Sequence, residues 1–474
     1  MKSALYPAER NATPIIAASA IAVAAAAVAV LPLIPRLCAV ALFCTLPLLG
    51  WMVSRANAWL GAFLGALLLL PPLPASFGNS GAHPALLLAA IGVYAALLFG
   101  KRWTFTKSPI AVPALALTAV MLASVAMALI YSGAKTGAGS AVRVALFALG
   151  PFVFMYVVWG PGQVLAGSGL GPARLLFAAG VLSASFACVD FFYQLPAPAG
   201  YSQQFIWLAD RVLRRAQGLF NDAGALGNLC AFFLTMAAAA MLLPGRRPVS
   251  RWVAAAGAIP LGAAIVFSYS RASVLCVAVS VAAMFWLKRR EVPWIRAGIG
   301  AAAVGIAVAM AVGAIAPGLA AWWLTRARQT FELAFSASDA ALSGRVSSWG
   351  VIGSFAVEHP VRALLGVGYK TLPYSDVLGR PVIADNTYLS VFIETGAAGL
   401  TALCALHVAI LRATYRAARC ADPGAAFYGA WAFSFWVGEM VQMSAADLLT
   451  YWRLLPVFFF VIALAVVKER EAAR

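Results

Sequence analysis

Long apolar runs separated by short polar connections dominate the pattern along this chain. Fourteen runs have about the length that crosses the apolar core of a bilayer as a helix. The pairs 13–31/37–53 and 252–269/271–288 can also be read as merged or partly re-entrant segments. The pattern therefore predicts an all-α polytopic membrane protein with about 12–14 transmembrane helices in a single membrane domain, 1–474. The runs lie at about 13–31, 37–53, 58–74, 84–100, 109–132, 141–159, 173–195, 223–243, 252–269, 271–288, 297–316, 387–411, 425–446 and 453–468.

Two connections are much longer than the others, at 196–222 and 317–386. The second contains helix-like stretches at 317–335 and 343–358. A large structured loop on a polytopic protein commonly carries function, as a lid or as part of a site. We therefore expect the site at the face of the membrane where these two loops emerge.

Composition and charge support this reading and orient it. The chain is 63% hydrophobic and 11% charged, so a soluble fold is excluded, and its net charge is +18. Most basic residues in short loops lie on one predicted side, which indicates cytosolic termini and long loops on the periplasmic side of a bacterial inner membrane. The charge therefore reflects topology and anionic lipid, and we expect no nucleic acid partner. Six of the seven cysteines fall within predicted spans, so neither disulfides nor a metal site is expected.

Arginines near the mouths of apolar segments are the first chemical signal. Arg214 and Arg215 precede Gly218 and Asp222, where the first long loop enters a span. Asp222 is a candidate helix cap. The arginines are either interfacial anchors or an anion site at a helix N-terminus.

Two further arginines fit the same description. Arg271 interrupts a long apolar stretch, where an unpaired charge would be costly, so it must meet water, a carboxylate or a phosphate. Arg345 follows Ser343 and Gly344 in the second long loop. His359 precedes a proline there, which indicates a helix end and a local hydrogen bond, or a role in the site.

Carboxylates close the second loop and enter the next span. Asp385 and Asn386 precede Tyr388, and a helix cap accounts for one of the first two. Asp385 could pair with an arginine or accept a proton from a sugar hydroxyl. Glu394 lies about two turns into the span, where a carboxylate is expected to be functional.

Together these motifs resemble the bacterial O-antigen ligase and polysaccharide polymerase superfamily of membrane glycosyltransferases. The resemblance is strongest over residues 211–400, and the order and common side of the motifs matter more than any one of them. They are Arg215-x-x-Gly218-x-Phe220, Ser270-Arg271, Ser343-Gly344-Arg345-x-x-x-Trp349, Pro360 with Gly366-x-Gly368, and Asp385-Asn386 followed by Gly396-x-x-Gly399.

The resemblance implies a GT-C-like fold and a glycan donor carried on undecaprenyl pyrophosphate. It implies an inverting, metal-independent transfer with no cofactor, at a periplasmic site. The expected pyrophosphate-binding residues are Arg215, Arg271 and Arg214. The expected catalytic residues are Asp385, Arg345 and Glu394, and the expected supporting residues are Gly218, Asn386, Tyr388 and His359.

Three functions remain open. Lipid A-core ligases of this superfamily usually carry His-Asn where this chain has Asp385-Asn386, so we first expect a polymerase of lipid-linked repeat units of O-antigen or exopolysaccharide. The alternative is a ligase that transfers finished glycan to lipid A-core. A transporter or flippase of a lipid-linked anion is the other class, but such proteins show internal repeats and charges near the midplane. The acceptor, and whether a chain-length regulator binds, are left open.

Overall fold

The structure is a computed structural model that describes residues 50, 52 and 57–473, with gaps at 74–75, 78–79, 197–200, 209–210, 291–293 and most of 316–344. The predicted segment 13–31 and nearly all of 37–53 lie outside the described residues. So do Ser343, Gly344 and most of the helical stretch predicted at 317–335.

Within the described residues the chain forms fourteen α-helices and two short β-hairpins. The helices are α1 (Ala58–Leu69), α2 (Pro84–Leu98), α3 (Ala111–Val158), α4 (Val164–Gly167), α5 (Gly171–Tyr193), α6 (Ala223–Leu242), α7 (Arg251–Ser268), α8 (Arg271–Leu287), α9 (Trp294–Ile315), α10 (Arg345–Glu358), α11 (Pro360–Leu365), α12 (Thr387–Ala418), α13 (Pro423–Met443) and α14 (Leu455–Ala472). The antiparallel strand pairs are β1 (Ser76–Phe77) with β2 (Ser80–Gly81), and β3 (Phe205–Leu208) with β4 (Arg211–Arg214).

Most of the helices fall where the apolar segments were predicted. Five of them (α3, α5, α6, α7 and α12) are long and apolar enough to cross a membrane by length and composition. Shorter apolar helices include α1, α2 and α8. The prediction of an all-α polytopic membrane protein is therefore confirmed, while the total number of spans stays a prediction.

Helix α3 contains two of the predicted segments, 109–132 and 141–159. Its backbone leaves the helical region at Gly133, where φ is 79° and ψ is 171°, values that only glycine adopts readily. The two ends of the helix come back together, because the Thr104 N–H donates to the Trp159 carbonyl at 2.7 Å. The Trp159 indole in turn donates to the Thr106 carbonyl at 2.8 Å. The element is thus a helical hairpin, which agrees with two antiparallel segments.

The segments predicted at 252–269 and 271–288 are separate helices. Tyr269 ends α7 in the left-handed conformation, with φ at 53°. Ser270 then caps α8, its hydroxyl accepting a hydrogen bond from the Ser273 N–H. Asp222, Asn386 and Asp422 cap α6, α12 and α13 in the same way. The predicted capping role of Asp222 is confirmed.

Helices α6, α13 and α14 form the centre of the bundle. Residues on every face of α14 are buried from Leu455 to Lys468, and α6 is buried almost as completely. A helix that is apolar all round must be enclosed by protein or lipid. Large aromatic side chains fill this centre, with Phe232 of α6 in contact with Trp431 of α13 and Phe458 of α14.

The principal helices begin and end at two common ends of the bundle. Helices α6, α8 and α12 begin where α13 ends, near Asp222, Arg271, Asp385 and Gln442. We call this the outer end. The same three helices finish where α13 begins, near Leu243, Lys288, Arg419 and Pro423, and we call this the opposite end. Helix α6 has 20 residues, which places the two ends about 30 Å apart at 1.5 Å per residue.

The second long loop is anchored at the outer end through a break in α12. Gly396, with φ at 74°, interrupts this helix, so carbonyls before the break lose their helical partners. Two N–H groups of the loop replace them: Val367 donates to the Ile393 carbonyl at 3.0 Å, and Gly368 to the Glu394 carbonyl at 2.9 Å. The loop is thereby fixed next to the start of α12.

Candidate active site

A polar cavity of about 580 Å³ opens at the outer end of the bundle. Its wall is formed by four parts of the chain: the first long loop with the start of α6, the α7–α8 turn, the second long loop, and the end of α13 with its connection to α14. The lining residues are Gln204, Phe205, Ile206, Arg215, Asp222, Gly224, Tyr269, Ser270, Arg271, Ala272, Arg345, Asp385, Gln442, Ala445, Ala446 and Tyr451. Three arginines from separate segments therefore share one cavity.

Arg215 is held in the cavity wall by the β3–β4 hairpin and the end of α7. Its N–H donates to the Gln204 carbonyl at 2.9 Å, and its Nε donates to the Ser268 carbonyl at 2.8 Å. Burial lowers the pKa of Arg215, and the nearby carboxylate of Asp222 opposes this shift. An arginine remains charged at neutral pH even so. The side chain is a fixed positive charge whose terminal nitrogens are not used in these two contacts.

Arg271 enters the cavity from the first turn of α8. The turn before it is rigid, because the Ser268 hydroxyl accepts from the Ser270 N–H at 3.2 Å and the Ser270 hydroxyl contacts that of Ser273 at 2.8 Å. The N-terminus of a helix carries a partial positive charge and free N–H groups. The guanidinium and the helix end therefore both favour an anion at this point.

Arg345 and Asp385 form an ion pair across the second long loop. The Nε of Arg345 lies 3.2 Å from Oδ2 of Asp385, and the two side chains are 23% and 43% exposed. An ion pair with this much solvent access contributes little to stability, so either partner can exchange the contact for a bound ligand. Trp349 supports the pair, because its indole N–H donates to the Ala384 carbonyl at 2.7 Å.

Asp385 has an unusual backbone conformation. Its φ is 43°, in the left-handed region that aspartate tolerates better than most residues. Asn386, the next residue, is the helix cap, accepting from the Leu389 N–H at 3.1 Å. The cap predicted for this pair of residues is thus Asn386. Asp385 therefore lines the cavity and pairs with an arginine, as one of its two predicted roles requires. Its other predicted role, as a general base, stays a prediction.

The sequence patterns gave Asp222 only a capping role, yet it also lines the cavity. Its Oδ1 accepts from the Ala225 N–H at 2.7 Å, and its Oδ2 accepts from the Gln204 side chain at 3.0 Å. Tyr451 lies beside it, and burial raises the pKa of the Tyr451 phenol well above its usual value. A neutral phenol can donate a hydrogen bond. Gly224 makes room for it, since a Cβ there would lie 2.0 Å from the Tyr451 hydroxyl.

A buried polar network lies beneath the cavity. The Gln442 side chain donates to the Ser273 hydroxyl at 3.2 Å, and the Asn228 amide donates both to Gln442 and to the carboxylate of Glu439. The four residues belong to α6, α8 and α13. Buried polar groups need such partners, so the network fixes the three helices that form the cavity floor.

Two of the six predicted catalytic and pyrophosphate-binding residues lie away from the cavity. Arg214, unlike Arg215, does not line the cavity; it pairs with Asp190 at 3.2 Å, both side chains being 7% exposed. Glu394 is buried next to Lys370, 3.9 Å from its ammonium group. Lys370 also contacts Asp447. The structure thus gives these residues structural partners and brings neither into the cavity.

The predicted supporting residues act through the backbone and packing. Gly218 has φ at 51°, and a Cβ there would lie 2.7 Å from that of Ala187, so it lets the first loop approach α5 closely. The Tyr388 hydroxyl donates to the Met440 carbonyl at 2.9 Å. His359 precedes α11 and packs edge-on against Phe355. Neither Tyr388 nor His359 lines the cavity.

Residues 256–404 match the family model described as O-Antigen ligase. This segment of the chain is similar to that family. The resemblance found in the sequence is therefore confirmed. The family indicates an enzyme of the ligase and polymerase class of glycosyltransferases, acting on lipid-linked glycans in a membrane. No curated protein matches the chain.

The matched segment extends from α7 into α12 and includes six residues that line the cavity, Arg271, Arg345 and Asp385 among them. Arg215 lies before the matched segment. The cavity is therefore completed by the first long loop, which the hairpin β3–β4 shapes.

Proposed function

We propose that the cavity binds the pyrophosphate of an undecaprenyl-pyrophosphate-linked oligosaccharide, and that the protein joins such repeat units into a polysaccharide at the periplasmic face of a bacterial inner membrane. The observation that carries this proposal is the convergence of Arg215, Arg271 and Arg345 in one cavity. Guanidinium groups match phosphate oxygens in geometry and charge.

The proposed reaction is a displacement at the anomeric carbon of the donor. An acceptor hydroxyl attacks this carbon, the bond from carbon to the pyrophosphate oxygen breaks, and the new glycosidic bond forms with inversion. Negative charge then develops on the departing pyrophosphate, and the three arginines stabilise it. These fixed positive charges are the reason we propose a transfer without a metal or cofactor.

Asp385 is the proposed acceptor of the hydroxyl proton. Its side chain is 43% exposed, and Arg345 holds it in place at 3.2 Å. Asp222 is less suited, because both of its oxygens already accept hydrogen bonds. Asp385→Asn is expected to reduce transfer at least about a hundredfold, the usual contribution of a general base. Wild-type rates would show that Asp385 only orients the loop.

The arginines can be tested in cells by the length distribution of surface glycan. Arg215→Ala, Arg271→Ala and Arg345→Ala should each remove long-chain glycan while the protein still inserts in the membrane. Arg380→Ala is the matched control, since Arg380 is an exposed arginine of the second long loop that does not line the cavity. Normal ladders in all three cavity variants would contradict the proposal.

Ligation is the second candidate, and the description of the matching family as O-Antigen ligase favours it. The cavity chemistry is the same, and only the acceptor differs. Purified protein supplied with a lipid pyrophosphate-linked repeat separates the two: ladder growth without another acceptor indicates a polymerase, and dependence on lipid A-core indicates a ligase. Transport is less suited to the arrangement, because the arginines lie at one end of the bundle rather than at its middle.

A further inference from the structure

A second basic pocket lies at the opposite end of the bundle. It has a volume of about 550 Å³ and is formed where α6, α8 and α12 finish and α13 begins. Four cationic side chains line it: Arg246, Lys288, Arg290 and Arg419. None of the described lining residues is acidic. The outer cavity and this pocket are about 30 Å apart, because α6 runs from one to the other over 20 residues.

The four cations come from three different connections, so their meeting is a product of the fold. Arg246 follows α6, Lys288 and Arg290 follow α8, and Arg419 follows α12. Lys288 is only 6% exposed. Four positive charges in one pocket repel each other, which is unfavourable unless an anion balances them.

Two ordinary explanations account for part of the cluster. Basic residues gather on the cytosolic side of membrane proteins whether or not they bind anything. The C-terminus of a helix also attracts cations, but each carries only about half a negative charge. Three such termini offset fewer than two of the four charges. Neither effect requires four cations to line one pocket large enough for a ligand.

The described carboxylates beside the pocket have contacts of their own. Asp422 adjoins it, but its Oδ2 accepts from the Ala425 N–H at 2.7 Å and caps α13. Glu469 pairs with Arg416 instead, at 3.3 Å. Among the described residues, no ion pair joins a carboxylate to Arg246, Arg290 or Arg419.

We propose that this pocket binds a phosphate-bearing ligand, either the headgroup of an anionic phospholipid or a free phosphate compound. Arginine and lysine together are suited to phosphate, arginine through paired hydrogen bonds and lysine as a point charge. Basic pockets between helices on the cytosolic side bind anionic headgroups in other membrane proteins. The site is separate from the proposed glycan site and does not depend on it.

Binding can be measured on the purified full-length protein in detergent with three probes. They are dioleoylphosphatidylglycerol, dioleoylphosphatidylcholine and inorganic phosphate. The test variant is the triple replacement Arg246→Gln, Arg290→Gln and Arg419→Gln. We expect the wild type to bind phosphatidylglycerol at least about tenfold more tightly than the triple variant binds it. Phosphatidylcholine should bind both proteins with the same affinity. Inorganic phosphate binding as well would indicate a pocket open to free phosphate compounds.

A matched control removes the same charge from the same end of the protein. The replacements Arg251→Gln, Arg289→Gln and Arg412→Gln affect exposed arginines that do not line the pocket. This control variant should bind phosphatidylglycerol and inorganic phosphate as the wild type does. Equal loss in both triple variants, or no binding of either phosphate probe by the wild type, would overturn the proposal and leave the cations with a topological role. All six side chains are exposed, and gel filtration of each variant checks that the fold is retained.

Discussion

Lys370→Met is expected to destabilise the outer end of the bundle strongly. The Lys370 ammonium contacts the carboxylate of Asp447 and lies 3.9 Å from that of Glu394. The three side chains are 4%, 19% and 1% exposed, respectively. Its main chain also supports the loop, because the Lys370 carbonyl accepts from Arg143 at 3.1 Å.

The magnitude follows from what the substitution leaves behind. Removing one partner of a buried ion pair costs about 3–5 kcal/mol, because the remaining charge has lost its compensation. Here two carboxylates would remain. Asp447 retains some access to water, which relieves part of its penalty, whereas Glu394 has almost none. We therefore expect a loss of about 3–4 kcal/mol in the free energy of unfolding.

The assay is equilibrium denaturation of purified protein in detergent, followed by tryptophan fluorescence. Lys135→Met is the control, since Lys135 is exposed and a surface substitution usually changes stability by less than about 0.5 kcal/mol. Glu394→Gln should recover part of the loss when combined with Lys370→Met, with a coupling energy of about 0.5–3 kcal/mol. If Lys370→Met behaves like Lys135→Met, the ion cluster does not anchor the loop.

Two glycines give further predictions. Gly396→Ala should loosen the second long loop and increase its cleavage by protease, because φ is 74° and the new Cβ would lie 2.2 Å from the Leu364 carbonyl oxygen. Gly133→Ala is the control: Gly133 has a similar φ but open space around it, so its replacement should show the effect of backbone strain alone. Gly224→Ala should reduce glycan transfer at least about tenfold without loss of protein, because its Cβ would displace the Tyr451 hydroxyl from a catalytic site that tolerates little misplacement. Adding Tyr451→Phe to Gly224→Ala removes the overlapping atom and should restore part of the transfer, up to the rate of Tyr451→Phe alone; no recovery would show that another contact is responsible.

The helices were predictable because their signals are local. Apolar length alone placed most described helices within a few residues, and the caps at Asp222 and Asn386 marked two of the starts. The approach of three arginines to one another was also predictable, because each adjoins an apolar segment on the same predicted side. What the sequence did not indicate was the hairpin β3–β4, whose strands have only four residues each.

The partners of individual charges could not be predicted, because they depend on contacts between distant parts of the chain. Arg214 and Arg215 are adjacent in sequence, at the last residue of β4 and the residue after it, yet their side chains have different partners. One reaches Asp190 and the other reaches the end of α7. Glu394 looked like a functional carboxylate within a span, but the break at Gly396 brings Lys370 to it. Long-range placement decided these roles, not residue type.

The central claim is that Arg215, Arg271 and Arg345 together form a pyrophosphate site. The most direct measurement is the affinity of purified protein for undecaprenyl pyrophosphate and for undecaprenyl monophosphate, in the wild type and in each arginine-to-alanine variant. The account predicts that the wild type prefers the pyrophosphate, and that each variant loses at least about tenfold in affinity for it, or 1.4 kcal/mol, while the exposed-arginine control Arg380→Ala does not. Equal affinity for the two lipids, or binding that survives all three substitutions, would contradict it.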